Sequence, residues 1–370
     1  MTGQYYLCIM SGTSLDGVDV ALADFSAMPR ILATYQEPFP AVLREEILAL
    51  AQGASRSLQA IGELDHRLGR LFSDAVLGLL AQETLSARQI RAIGSHGQTV
   101  FHHPQGDNPF TMQLGDAHLI AARTGIDTVA DFRRKDMAVG GQGAPLVPAF
   151  HEYLFAQEDS IRIVLNIGGI ANISVLRPHQ DTIGYDTGAG NMLMDAWAQH
   201  HTGLDYDKNA AFAKQGQVQN RLLEQLLADE YFRRPAPKST GREKFHLAWL
   251  DAQLATLPDY TPADIQRSLL EFSARSIATE IERYADKRYR QEIIVCGGGA
   301  HNPLLMQRLA QLLADWTIQS SADYGIDSDY LEAAAFAWLA YCHLQGISAN
   351  LPAVTGAKRR CILGALHRAD

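Results

Sequence analysis

One order of events occurs twice along this chain of 370 residues: an apolar run, a glycine turn, a returning run, helical spacing, then a second apolar run that breaks into a further glycine turn. The first pass starts at residues 5–10, turns over 11–17 (SGTSLDG), returns over 18–25 and adds a third run at 30–35. Runs joined this tightly are antiparallel neighbours, because a parallel pair needs a long crossover. Helical spacing follows at 44–51 and 58–80, where Leu64, Leu68, Leu71, Ala75 and Leu79 share one face. A strand at 91–95 opens into His96-Gly97-Gln98-Thr99, and a helix at 116–124 leads to a strand at 128–132. The second pass has a strand at 162–166, a turn at 167–172 (IGGIAN), a return at 173–176 and helices, the longest over 262–287. A buried strand at 292–296 then breaks into residues 297–302 (GGGAHN). A helix over 303–314 follows, led by Pro303, whose missing N–H costs little in a first turn.

Two similar α/β halves predict a duplicated fold with a cleft between two lobes. The first lobe is expected over residues 1–138, joined by 345–370, and the second over 139–344. Residues 140–145 (GGQGAP) read as hinge or lining. Glycine turns let backbone N–H groups approach an anion without side-chain obstruction, so the cleft is suited to grip phosphate. The blander reading of any single turn is a hairpin, and the repetition in both halves is what favours the ligand.

Hydrophobic residues at 47% and charged residues at 20% suit a globular chain rather than a disordered one. A net charge of −9 disfavours nucleic acid and anionic lipid as partners. No apolar run approaches the ~18 residues of a membrane helix, and the N-terminus has no signal-peptide pattern. Cys8, Cys296, Cys342 and Cys361 are scattered and read as free thiols of a reducing compartment, so a soluble cytoplasmic protein is expected. His102 and His103 alternate faces on an extended chain and form no metal pair. Asp186, ahead of a glycine turn and a helix, reads either as a turn or capping residue or as a carboxylate held in the cleft.

Six segments together resemble the anhydro-N-acetylmuramic acid kinase family: residues 10–19 (MSGTSLDGVD), 95–99 (SHGQT), 130–148 (ADFRRKDMAVGGQGAPLVP), 166–172 (NIGGIAN), 186–191 (DTGAGN) and 296–302 (CGGGAHN). The likeness runs in order from about residue 6 to 344. It implies an α/β, duplicated actin-like (ribonuclease H-like) ATPase fold, two lobes around a nucleotide cleft. It also implies a double reaction, in which the 1,6-anhydro bond of the sugar is hydrolysed and the freed 6-oxygen is phosphorylated by ATP with Mg²⁺. The setting is cell-wall recycling, the partners are ATP and an amino sugar, and a homodimer is suggested.

Carried onto this sequence, the resemblance makes Asp186 the general base and leaves Asp195 an ordinary polar-face residue. Gly12, Thr13, Ser14, Leu15, Asp16, Gly17, Val18 and Asp19 would handle phosphate, with Asp16 holding Mg²⁺ directly or through water. This pattern is neither the Walker loop nor the Asp-x-Gly-x-Thr order common among relatives of the fold. Gly168 and Gly169 would face the phosphates from the other lobe, while Gly297, Gly298, Gly299 and Asn302 would line the adenine–ribose end. His96, Gln98, Glu332 and one of Arg133 or Arg134, with Arg133 preferred, would meet the sugar. Ala189 stands where the family often carries Pro, which removes no functional group. Two other readings are an ordinary kinase for an open amino sugar, and an actin-like assembly or chaperone ATPase. The latter is disfavoured because little chain follows the second lobe.

Overall fold

The computed structural model describes residues 5–12, 15, 17–27, 29–241, 243–328 and 330–370. The chain divides into two compact units, Met1–Leu154 with Tyr330–Asp370, and Phe155–Asp329. In the first unit β1 (Tyr5–Ser11), β2 (Gly17–Asp24) and β3 (Arg30–Pro38) form an antiparallel meander. On the other side of β1, β4 (Ile90–Ser95) lies parallel. A two-stranded hairpin, β5 (Gln98–His103) and β6 (Phe110–Leu114), stands outside this sheet. Next to β4, β7 (Thr128–Ala130) adds a further parallel strand, and Ala365–His367 closes that edge antiparallel.

In the second unit β8 (Ser160–Ile167), β9 (Ile170–Leu176) and β10 (Ile183–Ala189) repeat the meander. There β11 (Arg290–Cys296) lies parallel to β8, and β12 (Thr317–Ser320) parallel to β11. Without the terminal strand the two sheets read β7-β4-β1-β2-β3 and β12-β11-β8-β9-β10. They share one topology, the duplication of the actin-like, ribonuclease H-like fold.

Helices supply the crossovers that the parallel pairs require. Helix Leu58–Gln82 starts at Ser57, whose side chain accepts the Ala60 N–H, and buries Leu64, Leu68, Phe72, Ala75 and Leu79 on the first sheet. Helix Pro262–Glu282 starts at Thr261 with Pro in its first turn and buries Leu269, Phe272 and Ile277 among the β8 and β11 side chains Ile163, Leu165 and Ile293. The strand expected over 128–132 stops at Ala130. Asp131 turns into the left-handed region (φ 60) and a helix, Phe132–Ala138, begins there, so Arg133 sits on a helix. Strand β10 and the hairpin were not expected, since Gly184 and Gly188 dilute the alternation in one and loop polarity flanks the other.

The unit boundaries also differ from those expected. Residues 140–145, read as hinge or lining, fall within the first unit. The fully buried Asp136 carboxylate takes the Gly143 N–H (2.9 Å), the Asn350 amide (2.8 Å) and the Thr355 hydroxyl (2.9 Å), which ties that loop to the C-terminal segment. Helix Leu331–Gln345, expected in the second lobe, packs on β1 and β4 of the first instead. Its approach depends on Gly94, because a Cβ there would overlap the Phe336 carbonyl.

Candidate active site

In the first unit that close approach brings two residues of helix Leu331–Gln345 to the end of β4. The Phe336 ring meets His96 edge-on at 4.6 Å, and Glu332 lies one turn earlier on the same helix. Arg133 completes the cluster. Its Nη2 and Nε lie 2.8 and 3.3 Å from His96 Nε2, and its Nη1 donates to the Gly143 carbonyl at 3.0 Å. Burial, and then the Arg133 charge, push the His96 pKa down to about 3, so the imidazole is a neutral acceptor. Burial draws the Arg133 pKa down to about 10 against the opposing pull of Glu332, which leaves it cationic. Burial raises the Glu332 carboxyl and Arg133 lowers it. Arg134 turns outward to pair with Asp131 at 3.3 Å, its side chain 68% exposed. The structure therefore separates the two arginines and groups Arg133 with His96 and Glu332. Gln98 is 1% exposed, with its carbonyl taken by the Ser11 hydroxyl and its NH₂ donating to the Thr99 carbonyl. Each end of that amide thus has a partner within the fold, which fixes the orientation of Gln98.

Of the expected phosphate loop, Thr13, Ser14 and Asp16 lie outside the described residues. The Leu15 N–H donates to the Gly12 carbonyl (3.4 Å), and Leu15 takes the left-handed region (φ 56), uncommon for a branched side chain. The side chains of Leu15 and Val18 are buried in the core, so only their backbone, with that of Gly12 and Gly17, can face a ligand. Asp19 accepts from Gln36 at 2.9 Å.

In the second unit Asp186 lies on β10, where a bulge between Asp186 and Gly188 re-aims the strand against β9. Three polar contacts fix it. Its N–H donates to the Lys238 carbonyl (3.0 Å), its own carbonyl accepts the Tyr231 hydroxyl (2.6 Å), and its Oδ2 accepts the Thr240 N–H (3.0 Å). Among the described residues no second donor reaches the carboxylate. Burial raises its pKa to about 6; the Thr240 N–H pulls the other way and Glu243 adds like-charge repulsion. Asp195, on helix Met192–Thr202, is half-buried and lifted to about 7 by burial and then by Asp207, so it is not the ordinary polar-face residue expected.

The glycines of this unit fall into two groups. A Cβ at Gly299 would overlap the Ile167 side chain, and one at Gly297, whose φ is +79°, would overlap Asn166. By contrast a Cβ on Gly168 or Gly169 would find its nearest neighbour at 3.5 or 3.6 Å, and one on Gly298 would meet nothing within 4 Å. Packing inside the unit does not require these three to be glycine. The Gly168 and Gly169 carbonyls accept the N–H groups of Gly190, Asn191 and Met192, which docks their turn on the start of helix Met192–Thr202. Asn302 caps helix Pro303–Leu312, with Oδ1 accepting from Leu304 and Leu305, so its carbonyl oxygen is engaged locally.

The sequence reading missed Tyr231, Lys238, Thr240 and Glu243. The run Lys238-Ser239-Thr240-Gly241 carries polar and turn residues but no periodicity, so only contact with β10 reveals its role. Among the described residues no group of three His, Cys, Asp or Glu side chains could hold a metal, and no helix is long and apolar enough to cross a membrane.

The family model for anhydro-N-acetylmuramic acid kinase matches residues 4–369. Curated relatives bearing that name include one from Vibrio vulnificus (strain CMCP6), 56% identical over 369 residues, which cover 99% of each chain. Another, from Actinobacillus pleuropneumoniae serotype 7, is 53% identical over 368 residues, covering 99% of this chain and all of the relative. With two units of one actin-like topology and a family match that runs almost end to end, the chain belongs to the anhydro-N-acetylmuramic acid kinase family and is a kinase.

Proposed function

We propose that the protein hydrolyses the 1,6-anhydro bond of 1,6-anhydro-N-acetylmuramic acid and phosphorylates O6 from ATP. The product is N-acetylmuramic acid 6-phosphate, and the reaction serves cytoplasmic recycling of cell-wall amino sugars. The observation that carries this reading is Asp186: a carboxylate fixed by one backbone N–H and raised to about 6 is poised as a general base near neutral pH. It accepts a proton from the water that attacks the anomeric carbon. The C1–O6 bond breaks, and O6 takes the γ-phosphoryl group as ADP leaves. The leaving oxygen is thus also the phosphoryl acceptor.

Arg133 supplies a fixed cation for the lactyl carboxylate, since charge-assisted contacts of guanidinium to carboxylate are strong and directional. Glu332 is the hydroxyl ligand beside it. In the second unit Gly168, Gly169 and Gly298 receive ATP, and their unfilled Cβ positions support close approach of the nucleotide; in the first unit the backbone around Gly12 is assigned to phosphate. Mg²⁺ takes few protein ligands when phosphates and water supply the rest. Asp16, which lies outside the described residues, is the carboxylate assigned to meet it, directly or through water. When bound, the ion would neutralise charge on the phosphoryl oxygens.

Incubation with ATP, Mg²⁺ and the anhydro sugar in ¹⁸O-labelled water tests the reaction. A sugar 6-phosphate carrying one heavy oxygen at the anomeric position, sampled before exchange, is the expected result. Phosphorylation of a reducing hexosamine with no turnover of the anhydro sugar would replace this reading with an ordinary amino-sugar kinase.

A further inference from the structure

Behind Asp186 lies a buried polar network that the reaction as written does not use. Lys238 is 7% exposed and Glu280 2%, and their Nζ and Oε1 are 2.7 Å apart. The Lys238 ammonium also donates to the Tyr231 carbonyl (3.3 Å) and sits over the Tyr231 ring at 4.8 Å. The other Glu280 oxygen accepts from the Tyr185 hydroxyl (3.0 Å), which touches the Tyr284 hydroxyl (2.9 Å), and pairs with Arg283 (3.1 Å). Removing two charges from water costs more than a loose pair returns, so such a pair is weak evidence for stability alone. Its placement suggests another use. The Lys238 backbone is hydrogen-bonded to the backbone of Asp186, and two residues later Thr240 donates its N–H to the Asp186 carboxylate.

The geometry points to Lys238 as a positioning residue for Asp186: its ion pair with Glu280 pins the segment 238–240 so that the Thr240 N–H stays on Oδ2. The inference rests on Asp186 being the base. Among the described residues the groups that face the carboxyl from the packed elements are Tyr231, Thr240 and Glu243. Lys238, Glu280 and Arg283 stand behind them, and Arg234 acts on Tyr231. An N–H on the ionised carboxylate favours that form, so losing it raises the pKa. Among the described residues the Thr240 hydroxyl is buried without a partner, so Thr240 meets the carboxylate through its backbone N–H.

Lys238→Met tests this, with Lys238→Met/Glu280→Gln as the partner variant that buries no unpaired charge. In the parent, the Thr240 amide ¹⁵N–¹H signal should titrate with the Asp186 carboxyl. In both variants that coupling should disappear, and the acid limb of kcat should move up by about one pH unit, roughly tenfold less turnover well below it. The KM for ATP should stay unchanged. A lowered melting temperature with the Thr240 titration and acid limb intact would overturn the inference and leave Lys238 a structural residue. Parental turnover in Asp186→Asn, with the Thr240 amide still coupled to the Asp186 carboxyl in the parent, would instead remove the base assignment. The amide readout in the lysine variants would then still judge the pinning by itself.

Discussion

In the first unit His96, Gln98 and Arg133 are spent on one another and on the surrounding fold, whereas in the second Asp186, Gly168, Gly169 and Gly298 are left open. His96 accepts from Arg133, Arg133 also holds the Gly143 carbonyl, and Gln98 is tied to Ser11 and Thr99. In the second unit Asp186 has a single donor on its carboxylate among the described residues, and Gly168, Gly169 and Gly298 keep unfilled space where a side chain would stand. A cation meant to receive a carboxylate gains from being rigid before the ligand arrives, because ordering a long side chain costs entropy. A base must instead keep an oxygen free for the proton it takes. The same family of motifs therefore yields a braced cluster in one unit and, in the other, groups with bonding positions left open.

The largest expected effect strikes the open side. Asp186→Asn should lower turnover ~10²–10⁴-fold with ATP binding retained, measured by steady-state kinetics and nucleotide titration. Near-parental turnover would remove the contrast. The same variant reports on pH. A carboxyl whose folded pKa, about 6, lies above its ordinary 3.8 binds more protons when folded, so stability is fullest below about 4 and is lost as pH rises through 6. The Asn variant should therefore be more stable than the parent by about 1–2 kcal/mol at pH 8 and lose that advantage near pH 4. Thermal melts across that range check the sign.

The two classes of glycine sharpen the comparison. Gly94→Ala and Gly299→Ala should destabilise by about 1–3 kcal/mol or more, since each Cβ collides with packed atoms. Gly168→Ala and Gly298→Ala should melt close to the parent yet raise the KM for ATP. Equal melting losses in all four would erase the distinction. Next in size, Arg133→Ala should weaken sugar binding by about 10–100-fold, the worth of a charge-assisted hydrogen bond, while Arg134→Ala stays near parental. The smallest effect concerns His96. Its folded pKa near 3 lies below 6.5, so it resists protonation and its stabilising contribution fades only as pH falls below 6.5. His96→Gln, which keeps an acceptor for Arg133, should leave the acid limb near pH 6 in place. A displaced limb would assign that titration to the imidazole.

Local chemistry made much of this legible. Turn residues between short apolar runs announced β1–β2 and β8–β9, and the spacing of Leu64, Leu68 and Leu79 announced the crossover helix. Asp186 and Arg133 were singled out by the resemblance, since the glycine neighbours alone left Asp186 open between a turn or capping residue and a carboxylate in a cleft. Strand β10 was not, because Gly184 and Gly188 hide its alternation, and the helix carrying Arg133 depends on a left-handed Asp131 that no pattern reveals.

By itself the sequence determined the duplicated plan, since hydrophobic period and turn chemistry act over a few residues and need no distant partner. Tertiary structure alone decided which partners met. Helix Leu331–Gln345 joined the first unit because Gly94 admits it. Asp136 drew residues 140–145 to the C-terminal segment. Thr240 and Lys238 reached Asp186 across about fifty positions of chain. Such choices depend on which backbones can approach and which buried polar groups find partners, and neither is written in local order.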